Sequence, residues 1–174
     1  ENTSQRTRNE QSIRELPTGE QRFEILRERG LVYVDKTQYI YQLLKGKAYF
    51  LSRPRRFGKS LFLSTLEAYF LGEKALFKGL YLEHAEPELA AEEGREAWQE
   101  YPVFYLALNE ERYASEFELN NTLNVALTEW ENRYGAEPAE QTYPSRFRGV
   151  IQRAYEKMGR QVVVLIDEYD KPLL

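Results

Sequence analysis

The chain has 174 residues, 42% hydrophobic and 14% aromatic, enough to bury a core and to exclude a disordered protein. With 24 Lys+Arg against 28 Asp+Glu, the net charge of −4 argues against nucleic-acid binding driven by overall charge, though not against a local basic patch. Cysteine is absent, which removes disulfides and thiolate zinc sites, and the single His84 excludes His-based metal clusters and a Ser-His-Asp triad.

Residues 1–16 are polar, mixed in charge, and read as a mobile arm. A lead-in follows over 17–47. Phe23, Ile25 and Leu26 lie on one side of a short helix stopped by Gly30, and Leu31 to Val34 reads as a brief strand. Asp35 is placed to cap a second helix, Lys36 to Lys45, with Tyr39, Ile40, Leu43 and Leu44 at helical spacing and Gly46 just beyond.

The strongest signal is the run Tyr49-Phe-Leu-Ser-Arg-Pro-Arg-Arg-Phe-Gly-Lys-Ser60. In the pattern G-x-x-x-x-G-K-[ST], a turn between strand and helix points backbone N–H groups at phosphates, the lysine meets their charge and the hydroxyl holds Mg²⁺. Gly58, Lys59 and Ser60 fit, whereas Arg53 stands where the first glycine belongs. The flanks also fit, with Ala48 to Leu51 as a short buried strand and Leu61 to Phe70 as a mostly apolar helix closed by Gly72. The plain alternative is a basic surface turn carrying Arg53, Arg55, Arg56 and Lys59.

Ala75 to Leu82 reads as a short helix or turn, and the acidic stretch Glu86 to Glu100, broken by Pro87 and Gly94, as a surface helix and loop. His84, beside Glu83 and Glu86, reads as exposed. Pro102 to Leu108 is a strand. Ser115 then caps a long helix through an S-x-x-E box with Glu118, its apolar face formed by Phe117, Leu119, Leu123, Ala126, Leu127 and Trp130 and its end set by Gly135.

Residues 136–144 read as a loop containing Pro138 and Pro144. Ser145 to Met158 follows as a helix that carries Phe147, Val150, Ile151 and Tyr155. Its Arg146, Arg148 and Arg153 read as solvated charge, with a nucleic-acid face as the alternative. The last strand, 161–166, is a β-branched run leading into Asp167-Glu168, the place where ligands bind in open α/β sheets. Asp167 can support Mg²⁺ there, and Glu168 can polarise an attacking water. Neither acid, with Asp170, makes a nuclease cluster, because no lysine-bearing strand motif accompanies them.

Three strings in fixed order carry a family likeness. They are Phe23-x-x-x-Arg27 through Tyr33-Val-Asp-Lys-Thr37, then Phe50-Leu-Ser-Arg-Pro-Arg-Arg-Phe-Gly-Lys-Ser-Leu61, then Leu165-Ile-Asp-Glu-Tyr-Asp-Lys-Pro172. Over residues 16–174 the chain resembles the bacterial AAA-ATPase-like family, in which the arginine at the first glycine position is part of the pattern. The resemblance implies phosphate contact by Gly58, Lys59 and Ser60, magnesium support by Asp167 and activation of water by Glu168. It also implies a longer protein with a PD-(D/E)XK nuclease-like domain at its far end and an ATP-dependent regulatory or defence role. Asp35 and Lys36 match the family's string without an assigned role.

The expected fold is therefore α/β, a P-loop NTPase-type parallel sheet flanked by helices, with a helical lead-in and a core over 48–174 that stops after the acidic strand. Strands that would follow are missing, which is expected to leave inner edges unpaired and to mean either a fragment or pairing with a second copy. The expected function is ATP binding and hydrolysis that regulates an attached or partner effector. In that reading Lys59 and Glu168 are catalytic; Arg55, Arg56, Phe57, Gly58, Lys59, Ser60 and Leu61 bind the cofactor; and Ser60 and Asp167 hold Mg²⁺. The alternative is a non-catalytic nucleotide- or nucleic-acid-binding module using the basic loop. Partners are ATP, a second copy of the chain and nucleic acid reached through a downstream domain. No apolar stretch approaches the length of about 18 residues that marks a membrane span, and the expected location is the cytoplasm.

Overall fold

The computed structural model describes residues 16, 22–44, 58–108 and 116–167. Among these residues the chain is a mixed α/β molecule of six helices and two parallel strands. In chain order the elements are α1 (Phe23–Glu28), α2 (Gln38–Leu44), α3 (Lys59–Phe70), a 3₁₀ turn (Lys74–Phe77), α4 (Tyr81–Glu93), β1 (Val103–Ala107), α5 (Glu116–Tyr134), α6 (Tyr143–Met158) and β2 (Val163–Asp167).

β1 and β2 pair in parallel, from Val103 opposite Val163 to Ala107 opposite Asp167. Alternation along the strands sends Val103, Tyr105, Val163 and Leu165 toward α3, while Phe104 faces α5 and α6. Phe104 stacks on Trp130 at 4.6 Å between centroids, over Leu127, Val150 and Ala154. Helices thus pack on both faces of the sheet at β1, as parallel strands favour. β2 has no other strand partner among the described residues, and its Val164 and Ile166 stay 39% and 41% exposed.

The lead-in packs into the core. Phe23, Leu26 and Ile40 are fully buried, and Phe23 lies 5.0 Å from Phe77 between ring centroids. Each such burial contributes about 1.5–3 kcal/mol, more than one helix cap typically adds. Capping across elements then fixes the geometry. The Phe23 amide, first in α1, donates to Ser64 Oγ of α3 at 3.0 Å, and Arg27 donates to the Leu76 and Lys78 carbonyls around the 3₁₀ turn.

Several expectations are corrected. Leu31 to Val34 forms no strand; the Leu31 amide instead closes the end of α1 on the Leu26 carbonyl at 3.0 Å. The second helix is Gln38–Leu44, and the expected ends Lys45 and Gly46 lie outside the described residues, as do the 48–51 strand and Ser115. Helix α4 continues past Pro87 and is closed by Gly94 in the left-handed conformation. Its Glu86 is fully buried, because Arg95, the Tyr69 hydroxyl and the Trp98 amide all donate to its carboxylate. Helix α6 begins at Tyr143, two residues early, because Thr142 and Ser145 form a capping box and Pro144 suits the first turn, where its missing N–H costs nothing. Phe117 is 80% exposed and Tyr155 is also exposed, whereas Ala154 takes the inward position.

Arg146 and Arg153 are not solvated charge. Arg146 grips Glu131 through two bonds of 2.8 and 2.7 Å, and Arg153 grips Glu140 through two of 3.0 Å. Arg148 is exposed and His84 is largely exposed.

Candidate functional site

Helix α3 sets the site. Gly58 precedes it at φ 76, ψ 26, a left-handed conformation that a Cβ would strain. The first intrahelical bond is Phe62 N–H to the Gly58 carbonyl at 2.9 Å, and the N-cap, being glycine, has no side chain with which to cap the helix. The N–H groups of the first turn have no partner within the helix and stand at the positive end of its dipole, with no acidic residue in that turn to balance them.

Lys59 occupies the first helical position and Ser60 the second, both half-buried, with Gly58 exposed beside them. Leu61 turns inward against the core, and its carbonyl accepts from the Ser64 and Thr65 hydroxyls. Arg53, Arg55, Arg56, Phe57 and Glu168 lie outside the described residues.

The direction of α3 relates this turn to the sheet. Its last residue, Phe70, accepts from the Tyr101 amide at 2.7 Å, just before β1 begins. Since α3 also packs against β2, its first residues lie toward the carboxyl ends of the strands, where β2 finishes at Asp167. Asp167 is only 1% exposed on the face shared with Leu165. A buried carboxylate needs donors or a cation. One donor is the Tyr105 hydroxyl, 3.4 Å from Asp167 Oδ2.

Burial first, and then the charge of Asp167, push the Tyr105 hydroxyl well above its ordinary range, so it remains a protonated donor. The Arg22 guanidinium stands 5.7 Å from the Tyr105 ring centroid and reaches Glu67 of α3 at 3.3 Å. Neither Tyr105 nor Arg22 was among the sequence candidates. The alternation of β1 gives Tyr105 a facing side, but only the register of two distant strands brings it beside Asp167.

The donor chemistry fits a hard divalent cation. Ser60 and Asp167 offer oxygen ligands, which Mg²⁺ takes alongside substrate phosphates and water. Among the described residues no group of three or more His, Cys, Asp or Glu side chains is arranged for a metal by itself. No helix among them is long and apolar enough to cross a membrane.

A family model described as predicted AAA-ATPase, AAA-ATPase-like, matches residues 17–174. The chain belongs to this AAA-ATPase-like family. Membership supports nucleotide binding in general. An "Uncharacterized protein in vnfD 5'region" of Azotobacter chroococcum mcd 1 is 39% identical over 166 residues, covering 94% of this chain. The match spans 30% of that relative's own length. No solved structure matches the chain.

Proposed function

We propose that this AAA-ATPase-like chain is a P-loop module that binds and hydrolyses ATP and whose nucleotide state regulates an attached or partner effector. The supporting observation is the start of α3, where left-handed Gly58 leads into Lys59 and Ser60 on a helix packed against the strand that ends at buried Asp167. Phosphates would be held by backbone N–H groups of Gly58, Lys59, Ser60 and Leu61, with charge supplied by Lys59, Arg55 and Arg56, and Phe57 lining the same turn.

Ser60 and Asp167 would hold Mg²⁺, which when bound offsets the charge of the phosphate oxygens. Tyr105 keeps Asp167 oriented through its hydroxyl. Glu168, the next residue, would accept a hydrogen bond from water and orient it, while Lys59 would meet charge developing on the transferred phosphoryl group. Absence of cysteine suits a cytoplasmic location.

Turnover is tested by phosphate release from ATP with Mg²⁺, comparing the chain with Glu168→Gln. Release that falls at least a hundredfold in the variant supports the reading. Absence of release, accompanied by salt-dependent DNA binding lost in Arg55→Ala/Arg56→Ala, would favour the basic loop as a non-catalytic module.

A further inference from the structure

The lysine that precedes Thr37 comes close to the start of α3. Apart from Gly58 and its neighbours in the chain, its Nζ is the nearest described heavy atom to the point that a Cβ on Gly58 would occupy, at 4.0 Å. Its backbone is held from both sides: Asp35 accepts from the Tyr81 amide at 2.7 Å, and buried Thr37 accepts from the Leu82 amide at 3.2 Å. Lys36 therefore lies between two residues docked on the start of α4, and its reach toward Gly58 is set by that docking.

Among the described residues no carboxylate lies within ion-pair distance of Lys36 or Lys59. Lys36 Nζ beside Gly58 adds a second cation to the turn that already carries Lys59, at the positive end of a helix dipole, which is unfavourable, and the first turn of α3 holds no acid to offset it. A multiply charged anion removes the conflict.

Resting on the reading of Gly58 to Ser60 as a phosphate site, we infer that Lys36 is a second phosphate-contacting cation, supplied from the lead-in, for the polyphosphate of a nucleoside di- or triphosphate. Lys59 belongs to the first turn of α3 and Lys36 to the lead-in. A point charge on a flexible stem suits phosphate without demanding bidentate geometry. Docking of Asp35 and Thr37 on α4 then becomes a positioning device for the site.

The test titrates ATP and ADP, each with Mg²⁺, into the full chain and its Lys36→Gln, Lys36→Arg and Lys59→Ala variants, with the melting temperature of each recorded without ligand. The inference expects Lys36→Gln to weaken both nucleotides about tenfold or more, with unliganded melting unchanged and most of the affinity kept in Lys36→Arg. Unaltered affinity in Lys36→Gln, with binding lost in Lys59→Ala, overturns the role of Lys36 and leaves the phosphate site standing. An early-melting Lys36→Gln chain that Lys36→Arg fails to rescue also overturns it, by making Lys36 structural. No ATP binding by the unaltered chain removes the phosphate site itself, and the inference with it.

Discussion

The Asp35 carboxylate caps a helix 46 residues away: its Oδ2 accepts from the Tyr81 amide at 2.7 Å, at the first position of α4. Its other oxygen accepts from both the amide and the hydroxyl of Thr37, at 2.8 and 2.7 Å. One side chain thus fixes the entry to α2 and satisfies an orphan donor of α4. Asp35→Ala should lower stability by about 1–2 kcal/mol, read as a lower urea midpoint with unchanged slope. An unchanged midpoint would mean that water replaces the carboxylate at both sites without loss.

Glu86 carries a heavier load. It is fully buried, and the Arg95 side chain closes over it at 2.6 Å, with Tyr69 Oη at 2.7 Å. Burial, reinforced by Glu86, drives the Tyr69 hydroxyl far above its ordinary range, so it stays a donor. Removing the Glu86 carboxylate leaves the Tyr69 hydroxyl and the Trp98 amide without their acceptor and Arg95 with Glu93 as its one described carboxylate partner, at 2.6 Å, so Glu86→Ala should cost about 3–5 kcal/mol. In a double-mutant cycle, Glu86→Ala/Arg95→Ala should cost less than the sum of the single changes, with coupling of about 1–3 kcal/mol. Additive losses would contradict a paired network.

The elements most legible in the sequence are those with a strong period or a clear stop. Helices α3 and α5, and the strands within 102–108 and 161–166, lie where apolar spacing puts them, within one or two residues. Partnerships between distant residues were not legible. Asp35 reads as the cap of its own helix, yet it also serves α4, because only folding brings Tyr81 within reach. Acidic composition likewise made Glu86 look like surface, although Tyr69 and Arg95 supply a buried niche for it. In the candidate site, Gly58 to Ser60 and Asp167 were readable as short motifs. Tyr105, Arg22 and Lys36 were not, since each acts through packing between segments far apart in the chain.

Acid should unfasten α5 from α6. The Arg146 hydrogen bonds hold the Glu131 carboxyl below its ordinary value of 4.5, and those of Arg153 do the same for Glu140. A depressed folded-state pKa gives stability that is present above the unfolded value and lost as pH falls through the folded one. Unfolding free energy from urea titrations should therefore decline as pH drops below about 4.5. Glu131→Gln should flatten that decline while lowering stability at pH 7. Parallel pH curves for both chains would contradict the assignment.

The central claim is that phosphate binds at the start of α3, and its most direct measurement is calorimetric titration of ATP with Mg²⁺ into the chain and into Lys59→Ala. The account predicts saturable binding by the unaltered chain that is lost in Lys59→Ala while the variant stays folded. Equal binding by both, or none by a folded unaltered chain, would contradict it.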